Sequence, residues 1–243
     1  MLNKFLFFIE RKAAYLLGKG WGSGTVEKEF ASAVSLLSNK EPKLCIDIGG
    51  NKGTYTQQIM NKFAECRIVI FEPAESNVKA LTEKFSNHQN VTIEQAAVSN
   101  EIGDATLYSN EDGSGLASLT KRRLDHFGID FENTESIQTL RFEDYWKVKL
   151  NSQHIDICKI DIEGHELDAL SGFGEAINHI SIIQFEFGGC NVDTRTFFRD
   201  FWYFFQENGF ELFRISPIGL IEIPKYRELD EFFITTNYLA KRK

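Results

Sequence analysis

The stretch that decides the fold is Leu44–Gly53, which reads LCIDIGGNKG. A short apolar segment that contains Asp47 runs into a turn with glycines at Gly49, Gly50 and Gly53. Beyond the turn, apolar side chains recur at helical spacing, so a helix is expected. Glycine accepts positive φ without steric cost, which allows a sharp turn between strand and helix. A strand, a glycine-rich turn and a helix form the opening of a doubly wound nucleotide-binding fold.

The acid at Asp47 indicates which nucleotide this turn would bind. A carboxylate there repels a pyrophosphate, and the G-x-G-x-x-G spacing of dinucleotide sites is absent. S-adenosylmethionine instead carries an ammonium and a sulfonium, which a carboxylate attracts, and its own carboxylate suits a helix N-terminus. We therefore expect S-adenosylmethionine as the cofactor. The alternative for Asp47 is a purely structural role in the turn.

A second acid supports the same expectation. The apolar run Arg67–Phe71 predicts a buried parallel strand, and it ends in Glu72 and Pro73. An acid in this place accepts hydrogen bonds from ribose hydroxyls, although a surface acid is the alternative. A third strand that begins at Val91 is expected to continue through Gln95–Val98 and to border the adenine.

The composition fits one large α/β domain, since 243 residues with 42% hydrophobic content can bury a sizeable core. A net charge of -8 argues against a nucleic-acid partner. The four cysteines show no metal-binding spacing, which is typical of a reducing, cytoplasmic setting without disulfides. No run is long and apolar enough to cross a membrane.

Strands alternate with helices along the chain, which predicts a mostly parallel seven-stranded sheet with helices on both faces. The last two strands are expected at Phe210–Ile215 and Glu231–Thr236, one of them antiparallel. Residues 1–40 are expected to form extra N-terminal helices, and residues 41–243 the main domain. The first helix is expected to pack on the domain or on a partner, so it could mediate a dimer; contact with a membrane surface is the alternative. Ser23 or Thr25 could cap the second helix.

Acidic residues follow the two strands of the second half. The candidate catalytic residues are Lys159, Asp161, Glu163, His165 and Glu186. Ligands of open α/β sheets bind at the carboxyl ends of strands, so these groups should face the reacting atoms. In one arrangement Glu163 or His165 is the general base. In the other, Asp161 with Glu163 or Glu186 holds Mg²⁺.

We favour the base without a metal and predict no metal ligand, because one chain offers no complete ligand set. Structural roles compete here as well. Lys159 could form only a salt bridge, Asp161 could only cap the next helix, and His165 could only pack there. Two glycine-rich segments, Gly18–Gly24 and Ser109–Ser118, are expected to move when substrate binds. A third segment, Lys121–Ser136, looks like an insertion over one end of the sheet.

Together these motifs resemble the FkbM family of S-adenosylmethionine-dependent methyltransferases. The matching pieces are Asp47–Thr56, Phe71–Pro73, Ala97–Ser99 with Gly103, Lys159–Glu166, and Glu186. The resemblance implies a class I methyltransferase (Rossmann-like) fold and O-methylation of a hydroxyl on a sugar, a glycan or a secondary metabolite. The expected cofactor-binding residues are Asp47, Gly49, Gly50, Asn51, Gly53, Tyr55, Thr56, Glu72, Pro73, Gln95, Ala97 and Asp161.

Two other readings remain open at this point. One is an NAD-dependent dehydrogenase on the same architecture, against which Asp47 and the missing glycine spacing count. The other is a binding module that holds S-adenosylmethionine without catalysis. The acceptor itself, a small molecule or a glycan, is not readable from the loops that would bind it.

Overall fold

The Leu44–Ile48 stretch forms β1, and all five of its residues are buried near the middle of the main sheet. The structure is a computed structural model that describes residues 2–22, 25–38 and 41–243. The other strands are β2 (Arg67–Phe71), β3 (Val91–Glu94), β4 (Ala97–Ser99), β5 (Gly103–Ser109), β6 (Asn133–Arg141), β7 (Ile155–Ile160), β8 (Ile180–Phe187), β9 (Phe210–Ser216), β10 (Gly219–Glu222) and β11 (Thr236–Arg242). The helices are α1 (Leu2–Leu16), α2 (Val26–Leu36), α3 (Thr54–Lys62), α4 (Glu75–Lys84), α5 (Phe142–Lys149), α6 (Glu166–Ser171), α7 (Cys190–Thr194) and α8 (Phe198–Glu207).

The main sheet has the strand order β10-β9-β11-β8-β7-β1-β2-β3. Strands β3, β2, β1, β7 and β8 pair in parallel, whereas β11 is antiparallel to both of its neighbours. The expected parallel sheet with one reversed strand near its end is therefore confirmed. It has eight strands rather than seven, because β10 folds back on β9 as an antiparallel edge strand. Chain order reverses between β1 and β7, and such a switch point forms a ligand crevice at the carboxyl ends of the strands.

Helices cover both faces of the sheet, as predicted. On β1, Ile46 and Ile48 face a core that includes residues of α5, α6 and α8. Cys45 faces the opposite core, to which α2, α3 and α4 contribute. This alternation follows from the two-residue period of a strand.

Two of the predicted strand positions are wrong. After Glu94 the chain leaves the main sheet, and Ala97–Ser99 pairs instead with β6 in a small second sheet of order β4-β6-β5. The predicted strand Glu231–Thr236 is also displaced, since β11 begins only at Thr236. The carboxylate of Glu231 accepts hydrogen bonds from the first backbone N–H groups of α8, which holds this segment away from the sheet.

Only the end of the insertion predicted at Lys121–Ser136 belongs to the second sheet, because β6 begins at Asn133. Strand β5, the antiparallel partner of β6, leads into the Ser109–Ser118 loop. The two ends of this loop are joined by a pair of backbone hydrogen bonds between Tyr108 and Ser118. The second sheet thus carries this loop across one side of the ligand crevice.

The two N-terminal helices behave differently. Helix α2 packs on the main domain and buries Phe30 and Ala33, whereas α1, whose residues Leu2–Leu16 are all described, buries none of them. Of the two expected partners for α1, the domain therefore buries none of its residues, and packing on a partner stays a prediction. Thr25 precedes α2, but its hydroxyl bonds Glu29 rather than a backbone group; Ser23 lies outside the described residues. Within the described ranges, the helices are too short or too polar to cross a membrane. The domain boundary at residue 40 stays a prediction.

Candidate active site

A cavity of about 290 Å³ opens at the carboxyl ends of the central strands, at the switch point of the sheet. Ten of the residues predicted for the site line it. They are Gly49, Gly50, Asn51, Tyr55, Glu72, Pro73, Lys159, Asp161, Glu163 and Glu186. Residues from four strand ends therefore meet in one crevice, as the sequence indicated.

The glycine-rich turn is shaped by its contact with the loop after β7. Gly49 has φ 79°, and a Cβ atom there would lie 1.9 Å from the carbonyl oxygen of Asp161. Only glycine fits this position, because a side chain would need both a left-handed backbone and space that the neighbouring backbone occupies. The turn and the Asp161 loop are thus held together at the floor of the cavity.

Glu72 fastens the same turn from the β2 side. One carboxylate oxygen accepts from the backbone N–H of Asn51 at 2.8 Å, and the other accepts from the N–H of Ala74 at 3.0 Å and from Asn77 at 3.3 Å. Burial raises the pKa of Glu72, while these hydrogen bonds lower it. A carboxylate that lines the cavity with lone pairs to spare can accept from ribose hydroxyls.

Asp47 lies behind the cavity rather than in its lining. It is fully buried, one oxygen accepts a 2.7 Å hydrogen bond from Thr56, and the other lies 3.9 Å from Nζ of Lys159. Burial raises the pKa of Asp47, and Lys159 opposes that rise. Its placement supports a role in holding Lys159 and Thr56, whereas the direct contact with the cofactor ammonium stays a prediction.

Five other predicted residues also lie outside the cavity lining, and one of them is Thr56, which bonds Asp47. Gly53 leaves room for Leu81 and Phe85, whose side chains lie 2.8 and 2.6 Å from the position of a Cβ atom. Gln95 is exposed and Ala97 belongs to the second sheet. Residues that were not predicted complete the lining, among them Asn77, Leu107, Ser114 and Ala117.

His165 is the last of these residues. One ring nitrogen lies 3.0 Å from the hydroxyl of Thr120, and the other lies 2.8 Å from a carboxylate oxygen of Asp168. Glu166, next in the chain, accepts from the backbone N–H groups of Ile162 and Gly164. These contacts stabilise the loop between β7 and α6 and leave His165 without a cavity-facing role among the described residues.

Lys159 forms the centre of a buried ion-pair cluster. Its Nζ lies 3.1 Å from Asp161 and 5.6 Å from the ring centre of Tyr55. Burial acts to lower the pKa of Lys159, but Asp161 and Asp47 outweigh it and raise that pKa above its ordinary value. Lys159 therefore remains a cation, which suits a positioning group and not a base.

Glu29 of α2 lines the cavity, and sequence reasoning did not place it in the site. Its side chain is buried and accepts from Gln184 at 2.9 Å, and the hydroxyl of Tyr55 donates to the same glutamine at 2.9 Å. An acid four residues before buried Ala33 lies on the buried face of a helix, which was the available signal. Helix α2 thus closes the cavity from the N-terminal side.

A second cavity of about 310 Å³ adjoins the first and shares Glu163 and Glu186 with it. It is also lined by Arg122, which contacts Glu163 and places Nε 3.2 Å from a carboxylate oxygen of Asp193. Arg122 was missed because its partners lie 41 and 71 residues further along the chain. The two glutamates thus stand at the junction between a cofactor-sized crevice and a neighbouring space that could take an acceptor.

Glu186 differs from the other acids of this junction. It is 9% exposed, and within the described part of the chain its carboxyl has no hydrogen bond or ion pair. Burial raises its pKa well above the ordinary value, and nearby Asp161 and Glu163 add to the rise. Burial likewise raises the pKa of Glu163 to about 8, with Arg122 acting in the opposite direction. Burial thus raises the pKa of both carboxyls, as is typical of acids and bases at functional sites.

The described residues also contain one group that could hold a cation, namely Glu163, Glu186 and Cys190, with ligand atoms within 4.8 Å of one another. Two features oppose a metal there. Arg122 already occupies a Glu163 oxygen, and burial raises the pKa of the Cys190 thiol, which favours the protonated form. The preference for a base without a metal stays a prediction.

The charges around the first cavity fit a cationic ligand. Five carboxyls line it, from Glu29, Glu72, Asp161, Glu163 and Glu186, against the two lysines Lys52 and Lys159. S-adenosylmethionine, with its ammonium and sulfonium, matches this excess of acid, and the ribose acceptor Glu72 lies in the same crevice.

Comparison with known proteins supports this match. Residues 47–212 match the Methyltransferase FkbM domain family. The chain is 25% identical over 169 residues to 2-O-methyltransferase NoeI of Sinorhizobium fredii (strain NBRC 101917 / NGR234), covering 66% of this chain and 69% of that protein. It is 22% identical over 144 residues to Methyltransferase 1 of Beauveria bassiana (strain ARSEF 2860), covering 54% of this chain and 58% of that protein.

A solved structure from Klebsiella pneumoniae, assigned as an O-methyltransferase, has the same fold. The TM-score is 0.50 at 10% identity, covering 91% of this chain and 81% of that one. Because the family match covers more than half of the chain and includes the turn, Glu72 and the Asp161 loop, the chain belongs to the FkbM family and is an S-adenosylmethionine-dependent methyltransferase of class I fold.

Proposed function

We propose that the protein methylates a hydroxyl oxygen of a sugar, a glycan or another small secondary metabolite. The observation that carries this proposal is Glu186, a buried carboxyl without a partner in the described residues, at the junction of the two cavities. Hydroxyl groups are weak acids, so their methylation needs a proton acceptor close to the reacting oxygen. The 2-O-methyltransferase among the relatives supports the same class of acceptor atom.

In this proposal the bound cofactor supplies an electrophilic methyl group on its sulfonium. Residues of the turn after β1, with Glu72 and Glu29, would hold the cofactor, and Lys159 would fix Asp161 beside it. Glu186 accepts the proton of the acceptor hydroxyl. The ion pair between Glu163 and Arg122 orients the acceptor, because its charged atoms line the second cavity.

The test is a screen of hydroxylated sugars and glycans with a radiolabelled methyl donor. Glu186→Gln keeps the shape of the side chain but cannot accept the proton, so turnover should fall by roughly 10²–10⁴-fold while the Kd for the donor stays close to that of the wild type. The matched control is Glu222→Gln, an exposed acid on β10, which should keep full turnover. Full turnover in Glu186→Gln would contradict the assignment of the base.

The same assay separates the remaining alternatives. Turnover that survives exhaustive chelation supports the metal-free base, and loss that Mg²⁺ restores would favour the cation arrangement. His165→Ala should retain turnover, since that ring bonds Thr120 and Asp168 outside the cavity. Donor binding without methylation of any tested hydroxyl would favour the non-catalytic module. The family assignment already excludes the dehydrogenase reading.

The acceptor class has one further competitor, a nucleic acid. We propose a small acceptor, because the chain carries a net charge of -8 and five acids against two lysines line the first cavity, an excess that repels phosphates. Methyl transfer to total RNA at a rate above that for any sugar would contradict this part of the proposal.

A further inference from the structure

Helix α1 presents an apolar stripe that nothing in the described structure covers. The stripe consists of Leu2, Phe5, Leu6, Ile9, Ala13 and Leu16. These positions follow the i, i+3, i+4, i+7 spacing that places side chains on one face of a helix. Five of the six are large hydrophobic residues with 46% to 67% of their surface exposed. Contiguous apolar surface of this kind marks an interaction site.

The rest of the chain does not cover the apolar stripe of α1. A groove of about 660 Å³ lies between α1 and the loop before β11. On the α1 side it is lined by Phe8, Arg11, Lys12, Ala14 and Tyr15, and on the other by Lys19, Gly20 and Ile234. The helix therefore turns a different face towards the body, and the stripe points away from it.

The position of α1 is nevertheless defined by contacts at its end. The carbonyl oxygen of Gly18 accepts from the hydroxyl of Thr236, and the backbone N–H of Gly20 donates to the same hydroxyl at 3.1 Å. Lys19 donates to the carbonyl of Leu229 at 3.1 Å. These bonds join the segment after α1 to the start of β11, so the stripe projects from an anchored base.

Charge identifies the kind of surface that the stripe fits. Helix α1 carries Lys4, Arg11 and Lys12 against one acid, Glu10, so its net charge is +2. The whole chain carries -8, which leaves -10 on the remainder. An anionic surface therefore attracts α1 and repels the body, whereas a second copy of the chain brings a net negative charge towards an already negative one.

We propose that α1 is an interfacial anchor that lies on an anionic lipid bilayer. The apolar stripe enters the boundary between headgroups and acyl chains, and the basic residues remain at the level of the lipid phosphates. A helix of 15 residues is roughly 22 Å long, shorter than the hydrocarbon core of about 30 Å, so it lies along the membrane surface. This inference is independent of the proposed acceptor.

Vesicle flotation of the full chain tests the proposal. The probes are vesicles of pure phosphatidylcholine and vesicles with 30% phosphatidylglycerol, a composition chosen as roughly that of a moderately anionic membrane. The wild type should bind the anionic vesicles about tenfold or more tightly than the neutral ones, and added salt should weaken that binding. Equal or absent binding to the two kinds of vesicle would overturn the proposal.

Variants assign the binding to the stripe. Phe5→Asp with Ile9→Asp places charges in the stripe without touching the core, and it should abolish flotation. The matched control is Phe127→Asp with Ile218→Asp, two exposed apolar residues far from α1 in sequence, and it should float like the wild type. Binding of S-adenosylhomocysteine, measured by calorimetry, should stay unchanged in both double variants. Flotation that survives in the stripe variant would overturn the proposal. A second contradicting result would be a wild type that does not bind vesicles but forms a dimer in sedimentation velocity, with the dimer lost in the stripe variant.

Discussion

The Nζ atom of Lys159 lies 3.1 Å from a carboxylate oxygen of Asp161, at the point where β7 reaches the cofactor crevice. The same ammonium faces Asp47, its register partner on β1. This ion pair joins the two central strands at the switch point of the sheet. It is buried, so its partners depend on one another for charge compensation.

Removal of the lysine charge should therefore destabilise the protein. Lys159→Met leaves Asp47 buried without a compensating cation, which we expect to lower the free energy of unfolding by about 3–5 kcal/mol. Urea unfolding of Lys159→Met measures this change. The control is Lys52→Met, an exposed lysine at the same cavity, which should stay within about 0.5 kcal/mol of the wild type. The double variant Lys159→Met with Asp47→Asn should recover part of the lost free energy of unfolding. If it recovers none, the unpaired charge of Asp47 is not the cause of the destabilisation.

Glu72 should contribute strongly to cofactor affinity. Glu72→Gln keeps the size of the side chain but removes its charge, so binding of S-adenosylmethionine should weaken by about 1.5–3 kcal/mol, the range for hydrogen bonds to charged groups. Isothermal titration calorimetry gives the Kd of each protein. Glu75→Gln, an exposed acid three residues away, should bind like the wild type. Equal affinities for wild type and Glu72→Gln would argue against ribose recognition by this residue.

The unpaired carboxyl of Glu186 should make stability depend on pH. Its pKa in the folded state lies above the unfolded value of 4.5, so above pH 4.5 the folded protein holds a proton that the unfolded chain has lost. Stability from this group is therefore fully present below pH 4.5 and declines as the pH rises towards the folded pKa. Glu186→Gln removes that decline, and the advantage of the variant over wild type should grow by up to about 1.4 kcal/mol per pH unit.

Thermal unfolding of the ligand-free proteins at pH 5 and pH 8 measures the effect. The Tm difference between Glu186→Gln and wild type should be larger at pH 8. Glu222→Gln should show the same Tm difference at both values, because its side chain is exposed. If the Tm difference between Glu186→Gln and wild type is the same at pH 5 and pH 8, the Glu186 carboxyl does not cause a pH dependence of stability.

The Ser109–Ser118 loop should become more protected when ligands bind. Its two anchors are hydrogen bonds from Asn51 to the carbonyl of Ser114 at 3.4 Å and from Ser118 to the carbonyl of Glu163 at 2.9 Å. Asn51 and Glu163 both line the cofactor cavity, so a ligand bound in that cavity should reduce the mobility of the loop through these two residues. Hydrogen exchange with and without S-adenosylhomocysteine tests this, with α8 as the internal control. Unchanged exchange in residues 109–118 would remove the lid proposal. The companion segment Gly18–Gly24 reaches residues outside the described ranges.

Several features of the site follow from local sequence alone. The turn at Gly49, the acid at Glu72 and the acids from Asp161 to Glu163 each stand directly after a buried apolar run, and parallel strands bring such ends to one edge of a sheet. Strand period and turn chemistry are properties of neighbouring residues. They can therefore be read without knowing what packs against them.

Other features depend on contacts between distant parts of the chain. Arg122 reaches Glu163 and Asp193, and Glu29 reaches Gln184 across 155 residues, and no local pattern contains these pairs. The strand at Glu231–Thr236 was misplaced for the same reason, since Glu231 caps a helix that begins 33 residues earlier. Hydrogen bonds between residues far apart in the chain therefore determine these contacts and the position of this strand, and the local sequence pattern does not.

Asp47 and α1 show the division most clearly. The sequence determined that an acid lies in β1 just before a glycine turn and that an apolar helix precedes the domain. Only the tertiary structure decided that the acid is sealed behind the cavity against Thr56 and Lys159, and that the helix keeps its apolar stripe uncovered. Periodicity specifies which side chains share a face, but what lies opposite that face depends on how the whole chain packs.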